Sequence, residues 1–216
     1  MSSEQVKIGF WQKYPALKDI FNFLTFVGAV ALGTFILNSF VFRTYNVIGI
    51  SMENTLHEND RMIVNRLVVS WNHLMGKEYI PKRGQIIVFA NGENGELNNC
   101  KPKENITDQY IIKRVIAFEG ERVTVEDGVL TVYNNEHPEG FHPDDDTRVS
   151  DTEGPKKHTS GSVNIIVPEG EIFVSGDNRE GSNSLDSRNG LGTIPYCRII
   201  GPVSMRNYPF NKIKFY

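Results

Sequence analysis

The stretch Glu121–Tyr133, which reads ERVTVEDGVLTVY, decides the fold class. Two short runs rich in valine and threonine flank the turn Glu126-Asp127-Gly128, and apolar and polar residues alternate on both sides of it. Alternation of this kind is typical of β-strands, and Asp-Gly is a pair that two-residue hairpin turns prefer. The sequence therefore predicts an antiparallel β-hairpin at this point.

Similar runs continue on both sides of this hairpin. They lie at Tyr45–Ile50, Arg61–Val69, Gln85–Phe89, Tyr110–Ile116, Val163–Val167, Glu171–Ser175, Ile199–Met205 and Ile213–Tyr216. Segments rich in proline and glycine separate many of them, and no long amphipathic helix pattern interrupts the series. We therefore expect a mainly β, antiparallel domain.

Two polar segments, Asn91–Asp108 and Asn134–Ser162, are too long to be simple turns and are predicted to be inserted loops. The second contains His137 and His142 beside three consecutive aspartates. Their spacing fits no metal-ligand pattern, so we interpret this segment as a solvated loop and expect no metal and no cofactor.

The N-terminal part of the chain has a different character. Residues Ile20–Phe42 read IFNFLTFVGAVALGTFILNSFVF, without one charged side chain. A helix of this length reaches roughly 34 Å, enough to cross the hydrocarbon core of a bilayer. No cleavage site of the A-x-A kind follows it, so a transmembrane anchor is favoured over a removable signal sequence.

The charges that flank this anchor predict its orientation. Lys7, Lys13 and Lys18 precede it, whereas only Arg43 follows it closely. Positive residues are retained on the cytoplasmic side, so residues 1–19 are expected in the cytoplasm and residues 43–216 outside the plasma membrane. The second part is then one extracytoplasmic domain.

Composition narrows the function further. The chain of 216 residues has a formal net charge of −3, which gives no basic field for nucleic acid. Its two cysteines, Cys100 and Cys197, have no metal-binding spacing and could be free thiols or one disulfide. The oligomeric state is not predicted.

Four short motifs follow the anchor in order. They are Ser51–Leu56 (SMENTL), Lys82–Phe89 (KRGQIIVF), Tyr110–Ile116 (YIIKRVI), and Ser175–Arg179 (SGDNR) with its continuation Ser184–Gly192 (SLDSRNGLG). From the anchor to about Met205 the chain resembles the type I signal peptidases, whose pattern is S-M-x-P-T-L, R-G-D-[IV]-[IV]-x-F, [YF]-[IV]-K-R-[VIL]-[IVA] and G-D-N-R-x-x-S-x-D-S-R. One such motif is weak evidence, but four in this order are specific.

The resemblance implies a serine endopeptidase that removes signal peptides from exported preproteins, with Ser51 as nucleophile and Lys113 as general base. The chemistry is sound, because a serine hydroxyl needs a base to take its proton and a neutral amine can do so. Lysine has an ordinary pKa of about 10.4, so Lys113 must be desolvated to act near neutral pH.

Other residues receive supporting roles from the same resemblance. Ser184 matches a serine that hydrogen-bonds and orients the lysine, Asp186 and Arg188 match an ion pair, and Asp177 and Arg179 match structural residues. Because four residues separate Arg179 from Ser184 where the family has two, Ser182 is the alternative orienting serine.

The substrate site is also predicted by resemblance. The Ser51 N–H is expected in the oxyanion hole, and Gly49 stands where some relatives carry a second, side-chain hydroxyl donor. Tyr45, Val47 and Ile112 are expected to line a pocket for small side chains at the first and third positions before the cut.

Several departures from the family pattern leave alternatives open. Asn54 replaces a proline and Gln85 replaces an aspartate. The alternatives are a specialised processing peptidase of a secretion or conjugation system and an inactive, membrane-anchored protein that binds signal peptides. A self-cleaving repressor with a Ser/Lys pair is disfavoured, because the chain has an anchor and no DNA-binding region.

Overall fold

The computed structural model describes Trp11 and residues 14–91, 109–145 and 153–216. The chain divides into two compact units, residues 1–41 and 42–216. The first unit contains one long helix, and the second contains the strands.

Helix α1 covers Pro15–Ile36 and continues as a π-helical turn over Leu37–Val41. Proline suits the first turn of a helix, because a backbone N–H in that turn would have no hydrogen-bond acceptor within the helix. The Thr25 and Thr34 hydroxyls donate to carbonyl oxygens one turn earlier, at 2.8 and 2.9 Å, which satisfies them inside the helix. The helical segment begins before the predicted Ile20 and ends one residue before the predicted Phe42, because Phe42 already belongs to a strand.

The most hydrophobic 18-residue stretch of the helical segment Pro15–Val41 has a mean hydropathy of 2.1, and none of its residues is buried. By length and composition it is able to cross a membrane. An apolar helix without a protein partner needs another apolar environment, and a bilayer supplies one.

The strands in the described residues form two sheets, and all the pairings are antiparallel. Their bounds are β1 Phe42–Asn46, β2 Arg61–Asn65, β3 Ile86–Asn91, β4 Gln109–Phe118, β5 Arg122–Glu126, β6 Val129–Tyr133, β7 Val163–Ile166, β8 Glu171–Ser175, β9 Ile194–Pro195, β10 Ile199–Tyr208 and β11 Lys214–Phe215. The larger sheet has the order β1-β2-β10-β3-β4-β8-β9, with β11 beside β10, and the smaller has the order β6-β5-β7. The predicted mainly β, antiparallel class is confirmed.

The predicted hairpin is present as β5 and β6. Glu126 pairs with Val129, which leaves Asp127 and Gly128 as a two-residue turn. Both turn residues have positive φ, 51° and 81°, and this is the conformation that Asp-Gly turns favour.

Two of the predicted strands are shorter than expected. The run Arg61–Val69 is a strand only to Asn65, and the eight-residue helix α2 then covers Leu67–Leu74. The Asn65 side-chain oxygen accepts the Leu67 N–H at 3.0 Å, and a local bond of this kind competes with strand pairing. The run Tyr45–Ile50 likewise leaves the sheet after Asn46, so that residues 47–50 lead into the turn that carries Ser51.

The core has three apolar clusters, one of which lies under the Ser51 turn. This cluster is formed by Val47, Met52, Leu56, Met62, Val64, Ile86, Val88 and Val203. Met52 and Leu56 are almost completely buried. Their packing in this cluster fixes the segment that follows Ser51.

The inserted loops are only partly visible. Apart from Asn91, the first loop lies outside the described residues, as do residues 146–152 of the second. Cys197 is disulfide-bonded, and Cys100, the only other cysteine of the sequence, lies outside the described residues.

Candidate active site

The sheet order brings the sequence motifs together. Strand β4 lies between β3 and β8, so the second, third and fourth motifs are neighbours although they are far apart in sequence. Lys113 pairs with Ile87 of β3, and the next residue, Arg114, pairs with Ser175 at the end of β8. The loop that follows β8 therefore begins beside Lys113.

Ser51 and Lys113 are in direct contact. The Lys113 Nζ donates to Ser51 Oγ at 2.7 Å and to the Ile112 carbonyl oxygen at 2.9 Å. Lys113 is 3% exposed, so the contact is almost shielded from water. A hydroxyl and an amine at this separation can exchange a proton, provided that the amine is neutral.

The surroundings of Lys113 favour the neutral amine. Burial lowers its pKa from the ordinary value to about 8, and the charge of Arg188 acts in the same direction. The carboxylates of Asp186 and Asp177 oppose this shift, but burial outweighs them. At pH 7 about one tenth of the amine is then unprotonated, against a negligible fraction for an exposed lysine.

Each of the two opposing carboxylates is bound to an arginine. Arg188 Nη2 lies 2.9 Å from Asp186 Oδ2, and Arg188 Nε lies 3.0 Å from Asp186 Oδ1. Although burial alone raises the pKa of Asp186, its bonds with Arg188 and with the Gly176 N–H lower that pKa below the ordinary value. The predicted Asp186–Arg188 ion pair is thus present in the geometry.

Asp177 and Arg179 are both buried but do not pair with each other. Arg114 binds Asp177 through Nε at 2.8 Å and Nη2 at 2.5 Å, and the Thr55 hydroxyl donates to the same carboxylate. Arg179 instead makes two bonds of 2.7 Å to Asp144. The first pair ties the catalytic strand to the loop after β8, and the second ties that loop to the second inserted segment.

Ser184 is buried beside Ser51, whereas Ser182 is exposed. A Cβ on Gly176 would stand 2.2 Å from Ser184 Oγ and 2.3 Å from the Ser51 carbonyl oxygen, so both serines crowd this glycine. The Ser184 hydroxyl donates to Asp186 at 2.7 Å. The expected bond between Ser184 and Lys113 is not formed among the described residues, since Lys113 Nζ donates to Ser51 and to the Ile112 carbonyl.

The nucleophile's turn is held by a residue that the sequence reasoning did not single out. The Asn178 side chain donates to the Ile50 carbonyl at 3.1 Å, and its backbone N–H donates to the Ser51 carbonyl at 3.0 Å. In a trans peptide the N–H points opposite to the C=O. By fixing the Ile50 carbonyl, Asn178 therefore also directs the Ser51 N–H, which has no acceptor among the described residues.

Gly49 lies at φ 85°, a conformation that other residues rarely adopt. Glycine at this position thus serves the backbone turn, and it leaves a possible oxyanion hole without a side-chain hydroxyl from residue 49.

An apolar cleft with a volume of about 690 Å³ lies in front of Ser51 and Lys113. The expected pocket residues Tyr45, Val47 and Ile112 all line it. Its other lining residues are Asn46, Ile48, Met62, Val88, Tyr110, Ile111 and Leu185, and they were not predicted. Most of them come from strands whose pairing is a property of the fold, and Ile48 and Leu185 come from the connecting segments, so no local pattern indicates them.

A serine in contact with a buried lysine, both lining an apolar cleft in a β domain, is the arrangement expected of a serine endopeptidase. Residues 19–208 match the family described as signal peptidase, peptidase S26. The chain therefore belongs to the signal peptidase family, which removes signal peptides from preproteins.

Its relatives agree with this assignment. The chain is 34% identical over 195 residues to signal peptidase I of Bacillus amyloliquefaciens, with 86% of each chain covered. It is 32% identical over 179 residues to signal peptidase I T of Bacillus subtilis strain 168, covering 83% of this chain and 80% of the relative. Signal peptidase IB of Staphylococcus aureus strain MRSA252 is 28% identical over 209 residues, covering 92% and 94%.

A solved structure is also similar, namely signal peptidase I of Enterococcus faecalis V583. It is 26% identical, covers 58% of this chain and 98% of its own, and superposes with a TM-score of 0.38.

We expect the pH dependence of kcat/KM to report the pKa of Lys113. If the neutral amine acts as the general base, kcat/KM should rise about tenfold per pH unit below pH 8 and level off above it. Initial rates on a peptide substrate between pH 6 and 10 measure this profile. A profile still rising steeply at pH 10 would show that burial does not tune this lysine.

We expect Asn178→Asp to lower kcat about ten- to a hundredfold with little change in KM, because a carboxylate cannot donate to the Ile50 carbonyl. The substitution Asn178→Ala should have a similar effect without adding a charge. Asn164→Asp, at an exposed position of β7, is the matched control. Thermal unfolding checks that each variant is folded, and a rise in KM at constant kcat would contradict the positioning role.

Proposed function

We propose that Ser51 is the nucleophile and Lys113 the general base of a membrane-bound peptidase that removes N-terminal signal peptides from exported precursors. The observation that carries this proposal is the 2.7 Å contact between Lys113 Nζ and Ser51 Oγ, made by a lysine that is 3% exposed. The family supplies the reaction, and this contact supplies the residues that perform it.

In the first half of the reaction the neutral Lys113 amine takes the proton of the Ser51 hydroxyl while Oγ bonds to the scissile carbonyl carbon. The carbonyl oxygen becomes negative, and the Ser51 N–H donates to it. The C–N bond then breaks, and the Lys113 ammonium returns its proton to the leaving amine of the mature protein. An ester between Ser51 and the signal peptide remains.

In the second half a water molecule attacks this ester. Lys113 takes a proton from the water as its oxygen bonds to the carbonyl carbon, and then gives the proton back to Ser51 Oγ as the ester bond breaks. The signal peptide leaves as a carboxylic acid, which gives its proton to the solvent, and the enzyme is restored.

The cleft supports a substrate with small, apolar side chains next to the cut. Val47, Met62, Val88 and Ile112 present apolar atoms to it, and bulky residues from three strands limit its width. We therefore assign the first and third positions before the cut to this cleft. Export precursors whose signal peptide ends in Ala-x-Ala fit this requirement.

We further propose that α1 and its continuation to Val41 anchor the enzyme, with the N-terminus in the cytoplasm and the catalytic domain outside. Ser51 follows the anchor so closely that the chain between them can extend at most about 30 Å. Such a tether keeps the nucleophile near substrates that are held in the same membrane.

The disulfide of Cys197 supports the extracytoplasmic placement of the domain. Disulfides form and persist in oxidising compartments and are rare in the reducing cytoplasm. The excess of lysine before the anchor supports the same orientation.

Cleavage of a precursor with an Ala-x-Ala site by the purified full-length protein in detergent tests the catalytic proposal. We expect wild type to cut after the second alanine, and Ser51→Ala and Lys113→Ala to lose at least a thousandfold in kcat. Ser162→Ala and Lys77→Ala, both at exposed positions, are matched controls that should retain activity. If all five proteins bind the precursor without cutting it, the chain is a binding protein and not a peptidase.

Protease accessibility tests the orientation. A protease added to intact spheroplasts should digest the domain from Phe42 onward, while a tag before Pro15 should resist until the membrane is permeabilised. Protection of the domain together with loss of the tag would reverse the assignment.

A further inference from the structure

One cationic side chain at the rim of the substrate cleft is held in an unusual way. The Arg43 guanidinium lies over two aromatic rings, 5.3 Å from the centroid of Tyr45 and 5.1 Å from that of Tyr110. The two rings pack edge to face at 5.0 Å, and Arg43 Nη1 donates to the Tyr110 hydroxyl at 3.4 Å. Stacking on two rings orients this otherwise flexible side chain.

Among the described residues Arg43 forms no ion pair, although its side chain is exposed and has further N–H donors available. None of the residues that line the cleft is acidic, and Arg66 adds a second positive charge near Tyr45. The Tyr45 hydroxyl is buried and has no hydrogen-bond partner among the described residues. The cluster of Arg43, Tyr45 and Tyr110 thus carries a positive charge and has hydrogen-bonding groups without partners among the described residues.

This cluster lies in the same cleft as the catalytic pair. Tyr45 and Tyr110 line the cleft together with Ser51 and Lys113. Tyr110 precedes Lys113 by three residues on strand β4, a separation of about 10 Å at the usual rise of a strand. An extended peptide that begins at the scissile bond and follows β4 therefore reaches the cluster at its fourth or fifth residue.

We propose that Arg43, held by Tyr45 and Tyr110, forms a subsite for a carboxylate side chain of the substrate, four or five residues before the cut. The planar guanidinium is suited to bind a carboxylate through two parallel hydrogen bonds. This inference rests on the proposed peptidase function, because it assigns the cleft to the part of the precursor that precedes the scissile bond.

The test compares peptides that share an Ala-x-Ala site and carry glutamate, glutamine or lysine at the fourth or fifth position before the cut. We expect wild type, in neutral detergent at low salt, to favour glutamate over glutamine by about fivefold in kcat/KM at one of these positions. The preference should decrease as salt is added, because the ion pair is partly exposed to solvent.

Variants of Arg43 identify the group responsible. Arg43→Gln should bring the ratio of glutamate to glutamine close to one, and Arg43→Glu should make the lysine peptide the better substrate. This gain on the lysine peptide cannot result from misfolding. Arg122→Gln is the matched control, because Arg122 stacks on Tyr133 at 4.2 Å in the other sheet and should leave the ratio unchanged.

The outcomes separate this inference from the proposed function. If wild type cuts none of the peptides, the peptidase proposal fails. If it cuts the glutamine peptides but glutamate brings no advantage at any of the positions, or if Arg43→Gln keeps the wild-type ratio, only the subsite is overturned. If instead added phosphatidylglycerol stimulates wild type but not Arg43→Gln, while their ratios agree, Arg43 binds lipid and the subsite is again overturned.

Discussion

The burial of Lys113 is the constraint on which the rest of the site depends. An amine that is 3% exposed loses most of its hydration, and this loss is what brings its pKa down to about 8. A carboxylate without a cationic partner beside Lys113 would stabilise the ammonium and cancel this decrease in pKa. The two nearest carboxylates, Asp186 and Asp177, are therefore each held by an arginine, which limits the negative charge that Lys113 experiences.

The same ion pairs connect the site to the fold. Arg114 follows Lys113 on β4, so the side chain that binds Asp177 and that of the proposed base leave the same strand in opposite directions. Asp177 then places Asn178 next to the nucleophile's turn, where it holds the Ile50 carbonyl. The loop after β8 thus fixes both partners of the catalytic contact, and a shift of this loop would disturb the base and the nucleophile together.

Local sequence patterns predicted much of this architecture. The apolar segment before Phe42, the Asp-Gly hairpin and most of the strands were readable, because each depends on residues close together in the chain. The boundaries failed where a side chain interferes with the backbone, as Asn65 does at the end of β2. Helix α2 and strand β9 were missed because they are too short to show a period of their own.

The motifs predicted which residues belong to the site, but not how these residues contact one another. Resemblance pointed to Ser51, Lys113 and the residues after β8, but pairing across the sheet decides their partners. Arg179 was assigned only a structural role, and its partner proves to be Asp144 from the inserted segment. Asn178 belongs to the matched motif, but the motif did not indicate its role, since an asparagine between Asp177 and Arg179 fits an ordinary turn equally well.

The irregular spacing of the last motif has a physical explanation in this arrangement. The residues between Arg179 and Ser184 are exposed, while Arg179, Ser184 and Asp186 are almost completely buried. The additional length therefore extends into solvent and leaves the buried ends in place, held by Asp144 on one side and by Arg188 on the other. A loop can lengthen at small entropic cost when both of its ends are fixed in this way. Departure from a motif's spacing is consequently compatible with an intact site, provided that the extra residues lie between two buried ion pairs.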